Sequence, residues 1–369
     1  MNKIFFSLVA LAALASCSKS EIQYEQTGEI TLAPVTSNTT KSVAGYDGNI
    51  FDGIFPTEID LYVFANAGEA GSAAAAHNEP YFRNAKFVWA SGGSLGSFDH
   101  DNNAETPSIP TVGAYAGAPT RYWPNVKTLV FAGYSDACNI KANLTDGNDE
   151  TTPTMNFATN VLTIPAYTQD NATYDEEGEN DLMWFPCSTP YSKQTSEIVA
   201  NMKHACSWIT INVAGDATTK SNWILNSLVV TNIAHTGTAT CGATAATWDT
   251  YSNFKNEDYY NEQTSTSVFN PEEGTTFTDQ YVEYYKTEAN NFIVIPQEPT
   301  TLEVTYSYKS DTDIWFHETK VISLDYDAAG TKWQSGVHYI YNLTITATEI
   351  LIDPVVEVWT PNTPTIPAI

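Results

Sequence analysis

Residue types able to carry acid, base or metal chemistry occur along this chain, but their spacing does not arrange them for it. Asp99, Asp101, Asn103 and Glu105 set oxygen ligands at alternating positions, as a calcium loop begins. Ala104 then stands where such a loop requires glycine, and Pro110 where it requires a bidentate acid, so a polar loop is the simpler account. Asp146, Asp149 and Glu150 form a weaker version of the same pattern. Asp175, Glu176, Glu177, Glu179 and Asp181 contain enough carboxylates for glycoside cleavage, yet that chemistry needs two acids facing each other across a cleft, which one acidic loop does not specify. The six histidines include no HExxH pair. His204 sits beside an apolar stripe, where a packed, hydrogen-bonded side chain is expected. With no GxSxG elbow, phosphate-binding loop or dinucleotide fingerprint, no enzymatic activity, cofactor or metal is expected.

The cysteines offer different chemistry. Met1, Asn2 and Lys3 precede an apolar run from Ile4 to Leu14, closed by Ala15, Ser16 and Cys17. A basic head, a short apolar segment and small residues at a cut site define an export signal. Leu14 to Cys17 also resemble the bacterial lipobox, whose cysteine is acylated and becomes the first residue of the mature chain. The alternative is an ordinary signal peptide with a chance cysteine. Cys138, Cys187, Cys206 and Cys241 remain, without a CxxC; either two disulfides or buried thiols fit, and thiols are favoured in domains large enough to fold without staples.

The elements that would carry these residues read as strands. Tyr at 21 and Trp at 9, with abundant Thr, favour β-structure, and 369 residues suggest about two cores. A balance of 43 acidic against 16 basic residues excludes a nucleic-acid partner, because phosphate binding needs clustered Lys and Arg. Ile22, Tyr24, Ile30 and Leu32 alternate with polar residues as one early strand that Pro34 ends. Lys41, in the polar turn-rich stretch Ser37 to Gly48, is the one basic residue between Lys19 and Arg83. Ile59–Phe64, Phe82–Trp89, Lys127–Tyr134 and Val161–Ile164 follow as strand candidates. Met202, His204, Cys206 and Trp208 then share one parity while Ile209, Ile211 and Val213 take the other, which requires a bend or bulge between them. Trp223–Val230, Phe292–Ile295, Leu302–Tyr308, Ile314–Leu324 and Tyr339–Ile345 continue the pattern. Short strands separated by turn residues predict β-sandwiches. Ile350 to Trp359 is apolar but interrupted by Pro354, and Pro361, Pro364 and Pro367 favour a polyproline II tail. The pairs Tyr122 with Trp123 and Tyr259 with Tyr260 suit either core packing or stacking on sugars.

Taken together, the lipobox at Cys17, the Asp181-Leu182-Met183-Trp184 junction, Met202 to Cys206 running into Ile209 to Val213, and Tyr339 to Ile345 with Asp353 to Trp359 resemble the fimbrillin family of Bacteroidetes, the FimA- and Mfa-like pilins. The resemblance implies two transthyretin-like β-sandwich domains in tandem. It implies a lipoprotein at the outer membrane, cut by a surface protease and polymerised with other fimbrillin subunits by strand exchange into adhesive fimbriae, with a host or bacterial surface ligand. The chain then divides into a signal peptide, 1–16; a lipidated segment with a removable strand, 17–41; an N-terminal sandwich, 42–190; a C-terminal sandwich, 191–359; and a Pro-rich tail, 360–369. On this reading Cys17 carries lipid, and processing falls at Lys41, where the family is cut after arginine. Ile22, Tyr24, Ile30, Leu32, Val355, Val356, Val358 and Trp359 form the strands of polymerisation. Stalk, tip and basal positions stay open. The rival is a surface glycan-binding lipoprotein using aromatic platforms.

Overall fold

In the computed structural model of the chain, the structure describes residues 30, 32–36, 61–89, 98–100, 123–135, 153–169, 181–196, 198–220, 222–262, 269–283, 292–310, 312–327 and 331–358. Among them there is no α-helix, and the architecture is all-β. The first half supplies β1 (Leu32–Thr36), β2 (Leu61–Glu69), β3 (Glu79–Trp89), β4 (Phe98–His100), β5 (Lys127–Ser135), β6 (Thr154–Asn156), β7 (Val161–Thr168), β8 (Met183–Phe185) and β9 (Ile198–His204). The second supplies β10 (Ser207–Gly215), β11 (Trp223–Cys241), β12 (Ala246–Asn261), β13 (Thr275–Thr276), β14 (Val282–Glu283) and β15 (Phe292–Val294). Then come β16 (Thr301–Lys309), β17 (Trp315–Ser323), β18 (Val337–Ile345) and β19 (Ile350–Val358).

Seven strands of the first half close into a ring in the order β1-β4-β3-β2-β5-β8-β9. Its interior is filled by Leu61, Val63, Phe87, Phe131, Phe185, Ile198 and Met202 with Ile30 and Leu32. The opposite parity of the same strands is also apolar: Tyr62, Phe64, Val130, Tyr134 and Trp184 point out of the ring into a second core with Leu162, Ile164, Trp208, Trp248 and Ile293. Burial on both faces explains why β2 and β5 read as continuous apolar runs without alternation. A third core lies between the sheet β14-β10-β18-β19 and the β17, β16 and β11 part of the other sheet, around Ile211, Leu228, Val304, Tyr341 and Leu343.

One long hairpin is shared by the second and third cores. β11 pairs with β16 over Trp223 to Val230 and with β7 over Thr236 to Cys241, so a single strand runs through both. Its base buries Leu225, Leu228 and Val230 in the third core, and its tip buries Ala239 and Cys241 in the second. β12 returns along it with register shifts at Leu228/Val229, Val230/Ile233 and Thr236/Thr238. These irregularities, in a Thr- and Asn-rich stretch, hide the hairpin from any periodicity search beyond Val230.

Two prolines expected to break strands do not. Pro34 lies inside β1, opposite Ala200, and Pro354 lies inside β19, opposite Tyr341. β19 is the edge of its sheet, and β1 meets β4 at Leu32 opposite Phe98, the one pair described between them. A proline costs a ladder little where one side is unpaired. The parity switch after Trp208 also has its cause: at Ala205 and Cys206 the chain leaves β9 in the ring and enters β10 in the next sheet, where a different core sets which side is buried.

Trp248 ties the hairpin tip to that crossing. Its indole N–H donates to the Ala205 carbonyl at 2.7 Å, and its ring meets Tyr167 edge-on at 5.3 Å. Trp248→Ala is expected to cost about 3–5 kcal/mol. A lower urea midpoint, with faster amide exchange in β2 and β5 although neither strand is changed, checks it.

Candidate functional site

Where the first strand closes the ring, the site is a seam between backbones. β1 runs parallel to β9, with Leu32, Ala33, Pro34, Val35 and Thr36 opposite Ile198, Val199, Ala200, Asn201 and Met202. Against β4 its described pairing is the single position already given. Ile30 and Leu32 are fully buried, and along β9 Ile198, Ala200 and Met202 alternate inward to meet them. At about 1.5–3 kcal/mol per side chain, burial of Ile30 and Leu32 contributes about 3–6 kcal/mol. Of the early strand's predicted residues, Ile30 and Leu32 are therefore brought to the seam; Ile22, Tyr24, Cys17 and Lys41 lie outside the described residues. The partner strand β9 was not anticipated. Its signal is the alternation of Ile198, Ala200, Met202 and His204, but parallel partners far apart in sequence leave no local trace.

The C-terminal strand is built the opposite way. β19 pairs with β18 from Val337 opposite Val358 to Ile345 opposite Ile350, and none of residues 350–357 is buried. Leu351 is 50% exposed, Val355 40% and Val356 46%. Val358 ends the strand, and Trp359 lies outside the described residues. Long apolar sheet edges of this kind are templates for pairing with another chain.

Among the described residues, one polar pair at the end of β9 is buried. His204 Nδ1–H donates to Asp181 Oδ2 at 2.5 Å, with side chains 4% and 2% exposed. This is the packed histidine that the sequence suggests, and Asp181 is its partner rather than part of a solvated loop. His338 stacks on Trp208 with ring centres 3.7 Å apart, and its Nδ1 lies 3.9 Å from Glu357 of β19. Among the described residues no group of three His, Cys, Asp or Glu side chains is placed to hold a metal. Asp101, Asn103 and Glu105 fall outside the described residues. Trp123, Tyr259 and Tyr260 are buried, so none of the three offers a ring face to a ligand.

Comparison with known proteins follows the same lines. The fimbrillin-like family profile matches residues 40–359, and the profile of the prokaryotic membrane lipoprotein lipid attachment site matches residues 1–18. No curated protein sequence matches the chain. Among solved structures, a fimbrial protein from Bacteroides vulgatus superposes with a TM-score of 0.53 at 16% identity, covering 89% of this chain and 99% of that one. A fimbrial assembly protein from Parabacteroides distasonis gives 0.38 at 10% identity, covering 89% and 99%. The tip fimbrial protein Mfa3 from Porphyromonas gingivalis gives 0.42 at 7% identity, covering 90% and 99%. The first of these likenesses shows a common fold.

Cys187 and Cys241 carry free thiols, Cys206 is buried, and Cys138 lies outside the described residues. Burial pushes the Cys187 thiol up to about 11 and that of Cys241 further. A raised thiol pKa removes thiolate at neutral pH and restores it tenfold per unit as pH climbs. Alkylation of Cys187 by iodoacetamide at pH 8 is therefore expected to be about two orders of magnitude slower in the folded protein than in urea, with its rate still rising beyond pH 9. Peptide mass mapping checks this; equal rates in both states would contradict it.

Proposed function

The chain belongs to the fimbrillin-like family, and from that premise we propose that it is a lipid-anchored structural subunit of surface fimbriae that polymerises by exchanging its first strand after proteolysis. The supporting observation is the seam. β1 is held by a five-position parallel ladder to one neighbour and by one described position to the other, while Ile30 and Leu32 fill the ring interior. Loss of β1 opens the ring between β4 and β9 and uncovers an apolar slot with a free backbone edge, which a strand from a second copy fills by β-strand addition. β19 is the donor: it is long, apolar, at an edge and without a buried side chain among residues 350–357, so its displacement costs less than that of an interior strand. Lipid on Cys17 holds the precursor at the outer membrane, and a surface protease cutting at Lys41 separates the subunit from the anchor and from β1, which stays on the lipidated fragment. The other fimbrillin subunits are its partners, with adhesion to a host or bacterial surface as the outcome.

No second reading gains an observation. The glycan-binding alternative relied on aromatic pairs of which Trp123, Tyr259 and Tyr260 lie in the cores. A hydrolase would need facing carboxylates, and buried Asp181 is instead committed to His204.

Treating the exported chain with a lysine-specific protease tests the proposal. N-terminal sequencing is expected to find a new start at Ser42, and size exclusion with electron microscopy to find multimers that Leu32→Asp, by weakening the original closure, forms faster. An uncut 37–48 stretch and a monomer under every protease tried would refute it.

A further inference from the structure

We propose that Asp181 and His204 are positioning residues that hold β9 in register as the acceptor strand while the seam is empty; this inference rests on the strand-exchange reading above.

The reasoning starts from what β9 keeps once β1 is gone. Among the described residues its lateral partners are β1, over Ile198 to Met202, and β8, over Met183 opposite His204 and Trp184 opposite Lys203. Without β1 the strand is therefore fixed sideways only at its C-terminal end. A strand edge that has lost its ladder towards Ile198 frays or slips, and a one-residue slip would turn Ile198, Ala200 and Met202 out of the ring.

The polar bonds of β9 gather at that same end. The His204 imidazole donates to the Asp181 carboxylate from within the protein, and Asp181 Oδ1 meets no donor among the described residues, which leaves the imidazole as the carboxylate's described hydrogen-bond partner. A carboxylate oxygen accepts, and Nδ1 is the ring nitrogen that faces it. Ala205 N–H donates to Leu182 O at 2.7 Å, closing the backbone beside the pair. Ser335 Oγ–H donates to His204 O at 2.8 Å, and Lys203 Nζ donates to Ala243 O at 2.9 Å in the turn joining β11 to β12. β9 is thus a cantilever, clamped at Lys203 to Ala205 and free towards Ile198. Charge-assisted and buried, the Asp181 contact is the strongest bond of the clamp. Because Met202, opposite Thr36, lies next to the clamp, an arriving strand finds the ordered end first and pairs from Met202 back towards Ile198.

Removing one member of a buried hydrogen-bonded pair leaves the other polar group unsatisfied, whereas replacing both with apolar residues of similar shape can be nearly neutral. The test therefore uses the double variant Asp181→Leu with His204→Leu, beside Asp181→Asn, in the full exported chain carrying a specific protease site within residues 37–48. After cleavage, the protein is given an excess of a fluorescent peptide of residues 28–36. Wild type is expected to take up the peptide. Its amide exchange should be slow at Met202 to His204 and faster towards Ile198. Both variants should bind the peptide at least tenfold more weakly and exchange quickly along all of β9. Before cleavage, when β1 still braces the strand, the double variant should show wild-type exchange there. Uptake and exchange in the variants equal to wild type would overturn the clamp while leaving strand exchange standing. Faster exchange along β9 in the uncut double variant would also overturn it, because the pair would then be a general stabiliser. Failure of cleaved wild type to take up the peptide would overturn the strand-exchange reading, and the clamp with it.

Discussion

Closure of the ring at the β1 and β9 ladder is the constraint on which the rest of this structure depends. A closed sheet has no free edge, and its stability is tied to the strand that completes it. Here that strand is five residues long, contains a proline and has one well-paired side. A contribution of about 3–6 kcal/mol from Ile30 and Leu32 is comparable to the whole stability of a domain, about 5–15 kcal/mol. The ring would collapse on opening if its walls were held from inside alone. They are not: Tyr62, Phe64, Val130, Tyr134 and Trp184 are packed from outside against β7 and the hairpin tip. Double-sided burial makes the walls formed by β2, β5 and β8 independent of the strand that fills the slot.

The two termini then have complementary properties. β1 is short and buries Leu32 in the ring, and its loss leaves apolar surface open; β19 is nine residues long, and none of residues 350–357 is buried. In the proposed exchange β19 trades its ladder on β18 for pairing along β9, and side chains like Val355 and Val356 gain burial. The net gain from exchange is therefore hydrophobic. Kinetic control follows as well, since the slot exists only after β1 is gone.

Much of this was legible in the sequence, for identifiable reasons. Ile30 and Leu32, the runs in β5 and β10, and the alternation in β16 and β18 follow from burial patterns that a strand period reveals. The parity switch after Trp208 marked the crossing between sheets without revealing it as one. Pro34 and Pro354 misled because proline breaks a ladder only where both sides are paired, and pairing is a tertiary fact. The β11 and β12 hairpin escaped because its bulges scramble alternation and much of β12 faces solvent. The parallel partners β1 with β9 and β10 with β18 escaped because register between distant segments is set by the cores, not by neighbours in the chain.

The proposed acceptor seam and the proposed donor strand β19 are linked through the fold. β9 continues through Ala205 and Cys206 into β10, and β10 lies parallel to β18 over eight positions from Trp208 opposite His338 to Gly215 opposite Ile345. β18 in turn holds β19. The route from the seam to the C-terminal strand is thus backbone and ladder throughout, reinforced at the crossing by Trp248 and Ser335. Tension applied along strands loads such ladders in shear, so that many hydrogen bonds must fail together. Side-chain packing between two separate units would yield contact by contact. In a polymer built by the proposed strand exchange each junction adds one more ladder of the same kind to a route braced, at its two-residue crossing, by the hairpin tip, Ser335 and the Asp181 pair.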